Sequence, residues 1–229
     1  MIREKYHEIL RKIEKAGTES GFNKNVTLVA VSKTHPVADI LEIYEEGQRD
    51  FGENRPQELA EKYEQLPHDI RWHMIGHLQT NKVRMIIDKV CMIHSVDSVK
   101  LAQVIDKEAE KLGCCMDILV EVNIGCEPQK SGIYPDHLEE MLRTIADLKN
   151  IKVRGLMCIP PANISSKESS YYFKLLRNLS IDIKGLNIDN IQMNILSMGM
   201  SDDFETAILC GADIVRVGTG IFGMRDYSK

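Results

Sequence analysis

Short apolar runs alternate along this chain with longer segments in which apolar residues recur every three or four positions. The runs VTLVAVS (26–32), RWHMI (71–75), VCMI (90–93), DILVEV (117–122), KVRGLM (152–157), NILSM (194–198) and DIVRV (213–217) predict strands, and RDF (49–51) is a shorter eighth candidate. VTLVAV is apolar without alternation, the pattern of a parallel strand covered on both faces. The clearest helix is 97–112. Asp97 or Ser98 can cap its start, Leu101, Val104, Ile105, Ala109 and Leu112 fall on one face, and Gly113 ends it in a left-handed conformation. Segment 135–149 opens on Pro135, and Leu138, Met141, Leu142, Ile145 and Leu148 line one side. Ile2, Tyr6, Ile9, Leu10 and Ile13 predict an opening helix.

Eight strands with helices between them fit a single (β/α)8 TIM-type barrel over 1–229 better than an open, doubly wound sheet. Few residues follow the last strand, so the opening helix is expected to fill the gap in the outer ring. The turn-rich stretch 160–169 is the most irregular connection.

Composition narrows the function classes. The chain is 43% hydrophobic and carries a net charge of −5, so a basic nucleic-acid-binding face is not expected. No apolar stretch approaches membrane-spanning length, and MIREKYHEIL does not read as a secretory leader. Six cysteines without CxxC pairing suggest reduced thiols and a cytoplasmic location. No heptad or apolar patch argues for association, so a monomer is expected.

In barrels of this kind chemistry collects at the C-terminal ends of the strands. The first end carries Lys33, where apolar surroundings would favour a neutral, nucleophilic amine; on its own it also reads as a solvated charge closing a strand. The second end carries Asn54, a candidate hydrogen-bonding group. The third carries His77, either cofactor-facing or loop-ordering; His73 and His77 lack the HExxH context of a zinc site. The seventh end has Ser197 and Ser201 around Gly199. Ser201 suits a helix N-cap, and Asp202 and Asp203 are expected to point outward, away from any anion. The eighth end, Arg216-Val217-Gly218-Thr219-Gly220-Ile221-Phe222-Gly223, formally contains GxGxxG, but only six residues follow Gly223, too few for the helix, second strand and downstream acid of a dinucleotide fingerprint. Close-approach glycines, free N–H groups and the Thr219 hydroxyl still suit a phosphate, and barrels often bind phosphate after strands seven and eight. Arg216 points inward if Val215 and Val217 point outward, and then needs a partner: Glu121, or the ring nitrogen of a cofactor.

The segments AVSKTHP, FGENRPQE, WHMIGHLQTNK, HSVDS, LVEVNIG, KSG, GLMCIPP, LSMGMSDDFETAI and RVGTGIFG together resemble the YggS/PROSC family of pyridoxal phosphate (PLP) homeostasis proteins, in order and spacing over nearly the whole chain. The resemblance implies the barrel of alanine racemase and PLP held as a Schiff base on Lys33. It implies Asn54 near the cofactor ring, Ser201, Gly218 and Thr219 at the phosphate with Ser197 nearby, and Arg216 at the pyridine nitrogen. Gly220 stands where many relatives have alanine. The resemblance implies a carrier or regulator that acts on vitamin B6 balance, without catalysis of its own, and that hands PLP to apo PLP-dependent enzymes. A weak amino-acid racemase is the alternative. An arginine at the ring nitrogen makes a weak electron sink, and the racemase's second acid–base group comes from a tyrosine in a complex with an additional β-domain. A barrel for some other phosphorylated metabolite is the blandest reading. Lys82, Lys130 and Lys229 are further amines open to PLP.

Overall fold

The computed structural model describes residues 1–22 and 25–223. Helix α1 (Ile2–Glu19) precedes the first strand, and strands and helices then alternate. The strands are β1 (Thr27–Val31), β2 (Asp50–Glu53), β3 (Arg71–Met74), β4 (Val90–Val96), β5 (Met116–Val122), β6 (Ile151–Cys158), β7 (Ile191–Ser197) and β8 (Ile214–Val217). The helices between them are α2 (Val37–Tyr44), α3 (Pro56–Tyr63), α4 (Val83–Ile86), α5 (Val99–Leu112), α6 (Leu138–Ile145), α7 (Ser166–Gly185) and α8 (Phe204–Leu209). A single turn, α9 (Thr219–Phe222), follows β8. The described strands pair in parallel, in chain order, and close where β1 meets β8 in the register Thr27↔Ile214 to Ala30↔Val217. This is the expected (β/α)8 barrel.

Two buried layers result from the period of two along each strand. Leu28, Ala30, Phe51, Trp72, Ile118, Val120, Val215 and Val217 face outward and pack under the helices. Val29, Met92, Leu119, Met157 and Ile214, with Ile195 against them, form a separate inner cluster that plugs the barrel. Gly52 belongs to this interior: a Cβ there would stand 2.8 Å from Val29 Cγ1. Val215 and Val217 therefore do point outward, and Arg216 points in.

The expected gap-filling by α1 is observed. Its buried face, Tyr6, Ile9, Ile13 and Ala16, packs on α2, α8 and α9, and Arg3 ties it to Glu45 and Glu46 beyond α2. At α5, Ser98 is the cap, accepting from the Leu101 N–H at 3.3 Å, and Gly113 closes the helix at φ 62°. Segment 135–149 is shorter as a helix than its apolar spacing suggests. It begins as a 3₁₀ turn (Pro135–His137), and α6 gives way at Ala146 to turns that carry Leu148. β4 is longer than expected, because His94 and Ser95, which look like the end of an apolar run, are buried inside the barrel wall.

Candidate functional site

The β1–α2 turn carries Lys33, half-buried, two residues past the end of the strand. Its neighbour Thr34 is left-handed at φ 67°, a costly state for a β-branched residue. A buried clamp holds that turn. The Thr34 N–H donates to Glu58 Oε1 at 2.5 Å, and Ser32 Oγ donates to Glu53 Oε1 at 2.7 Å. Lys62 Nζ lies beneath and donates to the Ser32 carbonyl (2.7 Å), Glu53 (2.7 Å) and Glu58 (2.8 Å). Burial pushes the Glu53 carboxyl above its ordinary value, against the pull of Lys62.

Asn54 sits at the end of β2, packed so closely on Gly76 that a Cβ on the glycine would come within 2.4 Å of the Asn54 carbonyl. Its side-chain Oδ1 is buried and accepts no hydrogen bond from the described residues. It lines a cavity of about 220 Å³ with Gly76, His77, Glu121, Asn123 and Lys130. His77 stands at the rim, 58% exposed, with Nδ1 3.3 Å from Asp97 Oδ2. That contact joins the β3 and β4 ends, so loop-ordering is the role its geometry supports. Glu121 faces the same cavity, and burial, with Asp97 adding to it and Arg216 opposing, pushes it up to about 7. Lys130 is tied down: its Nζ is 2.5 Å from Glu127 and donates to the Pro160 carbonyl at 2.9 Å. Lys229 lies outside the described residues.

Across the mouth, the β7 and β8 loops meet. Gly199, at φ 90°, lets the chain turn so tightly that a Cβ would clash at 2.5 Å with Ala207. The Ser201 hydroxyl accepts from the N–H groups of Gly218 (3.3 Å) and Gly220 (3.1 Å). Ser201 is therefore not the N-cap of α8, as its position suggested. Asp203 is the residue before α8, and its Oδ1 accepts the Met200 N–H at 2.7 Å. Asp203 thus turns back into its own loop, where burial raises its pKa, while Asp202 is exposed. Thr219 is exposed at the head of α9. Gly218 lies against β1, with a Cβ position only 3.2 Å from the Val31 carbonyl, which brings this loop beside the Lys33 turn. His35 stacks on Phe222 at 4.8 Å and joins the two loops a second time.

Arg216 and Ser197 lie deeper. Arg216 donates from Nη1 to Ser197 Oγ (2.7 Å) and from Nη2 to the Cys158 carbonyl (2.9 Å). Burial lowers the Arg216 pKa; Cys158, Glu121 and Asp203 oppose that. Glu121 exerts its influence through space and is not a hydrogen-bonded partner. Ser197 was expected near the phosphate, but its hydroxyl is fully buried and engaged with Arg216 and His94. Sequence reasoning did not single out His94, or the Glu53–Lys62–Glu58 clamp. A histidine inside an otherwise apolar strand run was the available signal for the first. Nothing local marked Lys62, whose spacing from Glu58 is that of any surface helix pair.

Comparison with known proteins bears on this arrangement. Residues 8–226 match the family model for the alanine racemase N-terminal domain. The Pyridoxal phosphate homeostasis protein of Aquifex aeolicus is 44% identical over 98% of both chains. The chain belongs to this family. The Escherichia coli protein of the same name is 37% identical, over 97% of this chain and 96% of its own. The solved structure of PipY from Synechococcus elongatus with PLP bound is 35% identical, superposes with a TM-score of 0.87, and covers 97% of this chain and 100% of that one. Alanine racemase of Clostridium difficile shares the fold alone, at 17% identity and a TM-score of 0.73 over 57% of its chain.

Proposed function

We propose that this protein binds PLP covalently on Lys33 and takes part in PLP homeostasis as a carrier or buffer, without turnover of its own. The observation that carries the reading is the juxtaposition across the β1–β8 pair: a half-buried lysine on one side and, on the other, the Gly218 and Gly220 N–H groups converging on Ser201. The PLP-bound relative of matching fold supports it. PLP brings an aldehyde that a neutral primary amine captures, together with a dianionic phosphate that needs several donors.

The residues fit that ligand. Ser201 and Thr219 present hydroxyl groups to the phosphate, beside the Gly218 and Gly220 N–H groups that Ser201 Oγ gathers at the same point. Asn54 brings a buried oxygen without a partner among the described residues. Arg216 is buried inside the barrel and, as a donor only, suits a ring nitrogen that carries no proton. His77 works at the rim through Asp97, and Ser197 works through Arg216. The same reading makes the protein a cytoplasmic monomer that passes PLP to apo enzymes. Among the described residues no helix is long and apolar enough to cross a membrane.

The test is the near-visible spectrum after incubation with PLP and desalting, for wild type and Lys33→Ala, followed by borohydride reduction and peptide mapping. A band confined to wild type, with the reduced adduct on Lys33, supports the reading. No band, or an equal band in the variant, overturns it. Transfer to an apo enzyme in the presence of a PLP trap, no faster than release to the trap, overturns the delivery role.

A further inference from the structure

A row of polar side chains crosses the barrel interior beneath the site. Ser197 Oγ, which accepts from Arg216 at 2.7 Å, is 2.9 Å from His94 Nδ1. His94 Nε2 is 2.9 Å from His73 Nδ1, and His73 Nε2 is 3.1 Å from Asp50 Oδ1. The row therefore runs from Asp50, the first residue of β2 at the N-terminal rim, through β3, β4 and β7 to Arg216 on β8.

Both ends dictate its direction. A guanidinium can only donate and a carboxylate can only accept. Burial acts to raise the Asp50 carboxyl, but hydrogen bonds from His73 and Arg71 outweigh it and keep the carboxyl below its ordinary value, hence ionised. The proton between His73 and Asp50 therefore belongs to His73 Nε2. Where His73 carries no second proton, its Nδ1 is bare and takes a proton from His94 Nε2. His94 in turn offers a bare Nδ1 to the Ser197 hydroxyl, whose oxygen receives Arg216. Each of the four links holds one proton, and no other distribution among neutral rings satisfies both ends.

We infer that His94 and His73 are positioning residues for Arg216: two neutral rings, each protonated on Nε2, hold the guanidinium through Ser197 by a one-way chain that ends on Asp50. The inference rests on the proposed function only for what Arg216 faces. The groups around the row are few. His94 is met by His73 from β3, Ser197 from β7 and Arg216 from β8. His73 is met by Asp50 from β2 and by the Cys91 thiol of β4 at 3.5 Å. Arg216 is met by Cys158 of β6, Glu121 of β5 and Asp203 of the loop before α8. Burial above all, with the Arg216 guanidinium beside it, holds His94 well below its ordinary pKa. A proton added at His94 Nδ1 would also turn the Ser197 hydroxyl hydrogen into fully buried space without an acceptor. His94 resists an extra proton for both reasons.

Long-range ¹H–¹⁵N correlation on cofactor-free protein labelled at histidine nitrogen reads the tautomers directly. Both rings are expected as Nε2-protonated neutral forms at about pH 8. A neutral ring protonated on Nδ1 at that pH, or a doubly protonated His94 there, overturns the inference whether or not PLP binds. A second arm uses PLP itself. His94→Leu ends the chain at Ser197, whereas His94→Gln keeps an acceptor for Ser197 and a donor for His73. His94→Leu is expected to weaken PLP binding about tenfold and to make the visible band of the bound cofactor vary with pH, with His94→Gln restoring both. Equal behaviour of the two variants overturns the positioning role. If His94→Leu does not fold, Ser197→Ala with Ser197→Thr as its conservative partner replaces the pair. Wild type that binds no PLP yet shows the expected tautomers refutes the proposed function and leaves the row standing.

Discussion

Replacing Lys62 by methionine removes, among the described residues, the cation that pairs with Glu53, a carboxylate with no exposed surface. Lys62 makes three short hydrogen bonds there, so the variant strands Glu53 and also frees the Ser32 carbonyl and Glu58. Breaking one side of a buried pair costs about 3–5 kcal/mol. The loss depends on pH with a definite sign. Burial already raises the Glu53 pKa above its unfolded value of 4.5, and both lowering influences from Lys62 disappear in the variant, so it climbs further. A carboxyl raised by folding stabilises fully below the unfolded pKa and loses that contribution as pH rises towards the folded pKa, at about 1.4 kcal/mol per unit. Lys62→Met should therefore lose about 3–5 kcal/mol at pH near 8 but only about 1–2 kcal/mol at pH near 5, where Glu53 can take up a proton. Urea unfolding followed by fluorescence of Trp72, the single, buried tryptophan, measures both. The double variant Lys62→Met/Glu53→Gln should recover much of the loss at the higher pH. A deficit equal at the two pH values, or a double variant no better than the single one, would refute the argument. The same variant should slacken the Lys33 turn and weaken PLP capture, since the clamp bonds Ser32 directly and Thr34 through Glu58.

Three further outcomes are expected. Glu121→Gln should stabilise the protein at pH near 8 by up to about 3 kcal/mol and flatten its stability between pH about 4.5 and about 7, because a carboxyl pushed up to about 7 loses stability as it ionises; urea titrations across that range check it. Gly155→Ala should prevent folding or cost about 4 kcal/mol or more, since its Cβ would stand 1.8 Å from the Ile195 carbonyl in the neighbouring strand; thermal melts decide. Ser201→Ala should leave the melting temperature within a few degrees but weaken PLP binding about tenfold, as measured by equilibrium dialysis, because it removes one hydroxyl from the phosphate loops without touching the core.

The barrel was legible because its strands are apolar runs at regular intervals and its helices carry ordinary start and stop signals. Ser98 and Gly113 act as their sequence context suggests. The ends of polar-bearing strands were less legible. His94 and Ser95 look like the close of a strand until it is known that other polar groups wait inside the barrel. The inward aim of Arg216 followed from alternation alone. Its partners did not, because Ser197 and the Cys158 carbonyl come from strands whose adjacency only the closed barrel establishes. Ser201 was misread as a cap for a related reason. A serine before a helix carries the same local signal whether it bonds its own helix or the backbone of the next loop. Lys62 is the extreme case, since an i, i+4 acid–base pair on a helix normally lies in water and here lies under the lysine turn.

The meeting of β1 with β8 has a consequence for assembly. Every other strand pair joins neighbours in sequence, whereas this one brings together the first and last strands, so it bears the largest loop-closure entropy in the molecule. Lys33 and the Gly218 loop lie on opposite lips of that seam. No partial stack of βα units contains both, so if PLP spans them as proposed, the capacity to hold it arrives with ring closure and not before. A ligand gripping both lips acts as a rivet across the joint that is hardest to form. It slows the opening of β1 from β8 first, and amide exchange along Thr27–Ala30 is where that effect is read.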